Sequence, residues 1–187
     1  MDRDSLIKKA FELGFKYEQK YHGCAQCTIA GIQDALDIRN DFVYKAGSGL
    51  AAGGGECIDG SCGGYSGAIM MMSLLFGRER KEEGTELGRM EKNECSRMAA
   101  LLHDMFIEKY GSVCCKEIQK KVFGRSFNLR DEKEKEEFHK AGAHDDEDKC
   151  CMVVGDGASW GTGLILDEIA RRGLSLEALR QIVYTIR

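Results

Sequence analysis

Nine cysteines in 187 residues are the groups in this sequence best equipped for chemistry. Cys24-Ala25-Gln26-Cys27 has the C-x-x-C spacing of a redox dithiol or of half a metal site. Thr28 stands where a c-type haem motif would need histidine, which excludes that reading. Cys57 and Cys62 share the next segment, and Cys114-Cys115 and Cys150-Cys151 are adjacent pairs. Four positions have one local setting. Cys24 follows Gly23 at a helix start, and Cys62 follows Ser61 and opens an apolar helix. Cys115 lies just beyond Ser112, and Cys150 just beyond Asp148, both candidate N-caps. In the first turn of a helix, unpaired N–H groups and the dipole favour negative charge and should lower a thiol's pKa. Converging helix starts would thus build an anionic sulfur site, and thiolates are what iron–sulfur clusters and zinc require. Cys27, Cys57, Cys114 and Cys151 lie within reach of the same positions. Cys95 falls in helical register with Met98 and Met105 and reads as core.

The surroundings narrow the chemistry. The N-terminal stretch MDRDSLIKKAFELGFKYEQK carries charge every few residues and lacks the apolar centre of a signal peptide. No run approaches the ~20 apolar residues of a membrane span, so a cytoplasmic, reducing location is expected. An odd cysteine count there argues against a disulfide framework and for metal binding or thiol chemistry. A purely structural role as small core hydrophobes would account for two or three of them, not for two adjacent pairs besides. The net charge of −4 is spread over both signs, and no basic stripe is present to meet nucleic acid.

The elements that must position these cysteines read as helices within a single domain over 1–187, an all-α bundle with a glycine-rich loop. The chain has no proline and 23 glycines, so glycine must supply the breaks. Apolar residues recur at helical spacing over 4–21, from Cys24 to beyond Leu36, and over 83–110. Asp41 reads as the N-cap of a short helix ending at Gly47. Residues 47–64 read as loop, and YSGAIMMMSLLFG after them as a helix buried on all sides. A shorter helix is expected from Val113 to Val122, and two more over 153–173 and 175–186. Residues 125–149 are mostly charge and read as a solvated arm or surface insertion, dispensable for folding.

The segments HGCAQCTIAGIQDAL, GGGECIDGSCGGYSGAIMMMSLLFG, EKYGSVCCKEI and DKCCMVV resemble the bacterial and archaeal family named for its cysteine pattern, C_GCAxxG_C_C. The resemblance implies a redox-active protein, related to a segment that accompanies an iron–sulfur centre in split-Soret cytochromes. It sets the family's first cysteine on Cys24, and its CGAxxG element on Cys62, Gly63, Gly64 and Gly67, with Gly64 in place of alanine. The last two cysteines fall on Cys115 and Cys150, or on the adjoining Cys114 and Cys151. The extra cysteines depart from the pattern and leave the nuclearity of a cluster open. Cys27 and Cys57 are expected to approach the site, with at least one member of each adjacent pair a ligand.

Three function classes follow. An iron–sulfur redox or electron-transfer protein leads, since cysteine number and helix-start placement suit a cluster. A thiol–disulfide oxidoreductase and a zinc or soft-metal protein are the alternatives. No catalytic residue is assigned. A redox partner protein is expected, with no nucleic acid and no membrane, and a homodimer is left open. The glycine runs at 47–53 and 155–161 match neither a dinucleotide fingerprint nor a P-loop, and instead suit close backbone approach to a cluster or another helix. His139 and His144 belong to the charged arm, and among the histidines His22 is the one beside a cysteine.

Overall fold

A computed structural model describes residues 2–185. Among them the helices are α1 (Arg3–Tyr21), α2 (Cys24–Leu36), α3 (Asp41–Ala46), α4 (Gly63–Phe76), α5 (Glu86–Tyr110), α6 (Cys115–Phe123), α7 (Glu132–Lys140), α8 (Cys150–Arg171) and α9 (Leu176–Thr185). Short 3₁₀ turns occupy Ser48–Gly53 and Arg80–Glu82, and no strand is present among the described residues. The all-α, single-chain bundle matches the helical periodicity of the sequence. Ile186, the last residue of the final expected helix, lies outside the described residues.

Local chemistry sets the helix ends. Asp2 caps α1 by accepting the Ser5 N–H, and Thr85 caps α5 by accepting from Gly88. Asn40, not Asp41, caps α3, its side chain accepting the Val43 N–H. Gly111 and Gly124 close α5 and α6 in the left-handed conformation that a Cβ disfavours.

Helix α8 is the centre of the bundle and packs on α1, α2, α4 and α5. Sequence reading favoured α4 as the wholly buried helix because it is the more apolar. In the structure Ala68, Met71, Met72 and Phe76 of α4 are buried, but Ser73 is exposed. The small residues of α8 explain the difference. A Cβ on Gly157 would collide with the Gly64 carbonyl oxygen of α4, so α4 and α8 meet backbone to backbone. Close approach of another helix, rather than of a ligand, is thus what the 155–161 glycine run permits. Around this contact Ile29, Ile32, Leu36, Met98, Leu102, Phe106 and Ile165 fill the core.

The segment 125–149 departs most from expectation. It is not a solvated arm: Phe127, Leu129, Phe138 and Ala143 are buried in a second cluster, against Phe123, Ala52, Ile58 and Cys150. Helix α7 faces most of its charges outward, while Lys135 turns in and reaches Glu56 at 2.9 Å. The apolar residues are few, but folding places them on one side, over the glycine-rich loop.

Candidate functional site

The starts of α2, α4, α6 and α8 converge. Cys24 is the first residue of α2 and Cys62 the N-cap of α4, while Cys115 and Cys150 are the first residues of α6 and α8. All four line one cavity of about 120 Å³, enclosed by Ile118, Val122, Phe123, Leu129, Phe138 and Val153. Four segments spread over most of the chain thus bring their thiols to one apolar chamber.

The backbone is arranged around these sulfurs. The Ala52 N–H donates to Cys24 Sγ at 3.4 Å, from a loop with Ala52, Glu56 and Ile58 all at positive φ. For β-branched Ile58 that conformation is costly, and it persists because the loop is held at both sides. The Cys62 N–H bonds the Val113 carbonyl at 2.8 Å, and the Cys115 N–H bonds the Gly60 carbonyl at 2.9 Å, which ties loop to α6. The Gln119 amide lies 3.9 Å from Cys115 Sγ, while its carbonyl oxygen accepts the Phe127 N–H of the covering segment. Gly63 allows the closest contact: a Cβ there would overlap Cys24 Sγ and stand 2.5 Å from the Ala25 nitrogen. Gly64 and Gly67 instead meet backbone, at Val153 and Ala25, and serve helix packing.

Helix-start placement does not make these thiols acidic. Burial pushes Cys62 and Cys115 up to about 12, with a further rise on Cys62 from Cys115 and on Cys115 from Cys24. Burial raises Cys24 and Cys150 as well, reinforced by the charge of Glu18. N–H groups of Ala52 and Gly63 act the other way on Cys24 but do not outweigh the loss of water.

The extra cysteines fall outside the cavity lining. Cys27 is buried one turn along α2, its thiol donating to the His22 carbonyl at 3.1 Å, and it borders a separate groove with Tyr17, Tyr21 and Asp34. Cys57, on the loop, is exposed. The Cys114 thiol points at the Ile58 and Asp59 carbonyls, and the Cys151 thiol at the His144 carbonyl. The expected approach of Cys27 and Cys57 is therefore not what the geometry gives, because one turn of α2 carries Cys27 past the chamber and the loop turns Cys57 to solvent. Cys115 and Cys150 are the members of the adjacent pairs that face inward. Cys95 is half-buried against the core near the Met72 carbonyl. Among the described residues all nine cysteines are free, and no three His, Cys, Asp or Glu side chains are gathered tightly enough for a single metal ion.

Apart from His22, which its place beside Cys24 marked as a candidate donor, the polar wall of the chamber was not foreseen from the sequence. Glu18, His22, His139, His144, Glu56 and Lys135 also line it. Glu18 is buried in α1, and the two arm histidines arrive there only because 125–149 folds back. The spacing of Phe127, Leu129 and Phe138 was the available signal.

No helix among the described residues is long and apolar enough to cross a membrane. Comparison with curated proteins and with solved structures finds no match. A family model described as "Putative redox-active protein (C_GCAxxG_C_C)" matches residues 22–162, a span that holds all four cavity cysteines and most of the chain. The chain belongs to the C_GCAxxG_C_C family of redox-active proteins.

Proposed function

We propose that this protein holds an iron–sulfur cluster through Cys24, Cys62, Cys115 and Cys150 and exchanges electrons with a redox partner protein in the reducing cytoplasm. The supporting observation is the convergence of four helix-start thiols on one apolar chamber. Four thiols are the donor set such clusters use, and N–H groups directed at sulfur are among the features that tune them. When bound, the cluster supplies one-electron chemistry; the chain orients it, shields it from water and offsets the thiolate charge with backbone N–H groups.

The dithiol reading is weakened by the same geometry. Burial raises the Cys24 and Cys27 thiols, which makes them poor nucleophiles near neutrality, and the two face different cavities. An anaerobic visible spectrum discriminates. A brown chromophore that bleaches with reductant is expected, retained in Cys95→Ser and lost in Cys62→Ser. A colourless protein carrying zinc, or a metal-free one whose thiol titre follows added oxidant, would support one of the alternatives instead.

A further inference from the structure

Beside the cysteines, three imidazoles from two distant stretches of chain gather at the chamber wall. His144 Nδ1 and His139 Nδ1 share a hydrogen bond at 3.3 Å, whose proton an ion would replace. The His22 ring stacks on that of His144 with centroids 3.9 Å apart, and lies 5.9 Å from that of His139. On the far side of His144, Nε2 faces Glu18 Oε1 at 3.6 Å. Glu18 is almost fully buried, and its other oxygen, Oε2, has no hydrogen-bond partner.

We infer that His139 and His144, with His22 turning in as a third donor, form a second metal site, built from nitrogen and specific for a divalent cation of the zinc type. The spacing carries the assignment. Two nitrogens bound tetrahedrally at 2.0–2.1 Å stand about 3.3 Å apart, which is the separation found between the two Nδ1 atoms. A carboxylate on the remaining nitrogen of a ligating imidazole fixes its tautomer and orientation. Glu18 faces that nitrogen of His144 at 3.6 Å, just beyond hydrogen-bond distance, and a cation behind the ring would draw the two together and give the buried carboxylate a countercharge. The His22 ring, parallel to that of His144, must rotate to point at the ion, which is why no three donors are preset. His22 also sits at φ 59°, ψ 175°, a backbone state that non-glycine residues rarely take. Imidazole with carboxylate support suits zinc or a similar first-row ion, whereas the thiols next door suit a cluster. The two centres are independent in their donors.

Cobalt(II) is the probe, since its spectrum reports its ligands. The anaerobically purified full chain, stripped of loosely held metal, is titrated with Co²⁺. One ion per chain is expected to bind without a thiolate-to-metal charge-transfer band. His139→Ala, at an exposed side chain, should weaken binding at least tenfold, with retention of the fold checked by circular dichroism. Glu18→Gln should weaken it by about 10–100-fold, the usual effect of removing a supporting carboxylate. Absence of bound Co²⁺ overturns the assignment, and so does bound Co²⁺ that shows the thiolate band and ignores His139→Ala. A protein without iron or sulfide that still binds Co²⁺ through imidazole would refute the cluster and keep the histidine site.

Discussion

At each cavity cysteine two local forces oppose one another: the helix start favours thiolate, and burial favours thiol. Burial wins in the metal-free protein, which sets a pH window. Cys62 and Cys115 shift from an ordinary value of 9.0 up to about 12 on folding. A folded pKa above the unfolded one contributes stability that is complete below about pH 9 and lost as pH rises through about 12. Metal-free protein should therefore melt at progressively lower temperature above pH 9, measured by circular dichroism. The same residue scale holds the sharpest steric test. Gly63→Ala places a methyl group against Cys24 Sγ and the Ala25 nitrogen; overpacking of this kind costs about 1–3 kcal/mol. Thermal melts should show that loss in Gly63→Ala and little change in Gly49→Ala, where a Cβ meets nothing within 4 Å. The cysteine positions were legible as helix starts, but the expected caps were not the right ones: Cys114 and Lys149, not Ser112 and Asp148, precede α6 and α8, and none of the four helices has a side-chain cap hydrogen bond. The acidity of the thiols was not legible, since it depends on how completely Ile118, Val153 and Phe138 exclude water.

Among the elements, the segment 125–149 illustrates what local composition hides. Its charges are real and mostly outward, but Phe138 is buried against Phe123, Phe127 and His144, partners that no short window contains. Phe138→Ala should cost about 3–5 kcal/mol, as for other buried aromatics, and should hasten oxygen bleaching of the chromophore by opening the chamber. Equal stability and an unchanged bleaching rate would return the segment to a solvated arm. A second interhelical tie lies at the far end of α8. Burial pushes Glu168 up, but hydrogen bonds from Arg171 and Arg172 outweigh this and hold it below the usual carboxylate range. Arg97 of α5 completes the group at 3.3 Å. Its folded pKa is the depressed one, so its contribution is present above pH 4.5 and lost as the medium is acidified below that. Glu168→Gln should remove about 1.5–3 kcal/mol, the range for hydrogen bonds to charged groups, since the arginines it leaves keep access to water, and should flatten the acid limb of the stability profile. Helix α8 itself was legible as a helix but not as the central one, since its small residues signal close approach only once a partner such as Gly64 is in place.

For the whole molecule, the fold works as a frame that brings four chain-distant helix starts to one end of a bundle. Helical periodicity and the cysteine pattern were enough to read the all-α class, the family and the converging cysteines. The polar wall of Glu18, His139 and His144 exists only at this scale, through the fold-back of a segment onto α1. The central claim is that the chamber holds a cluster, and iron and acid-labile sulfide per chain in anaerobically purified protein test it most directly. The account predicts both, in matched amounts, with both lost in folded Cys62→Ser. A folded wild-type protein that is colourless, with neither iron nor sulfide, would contradict it.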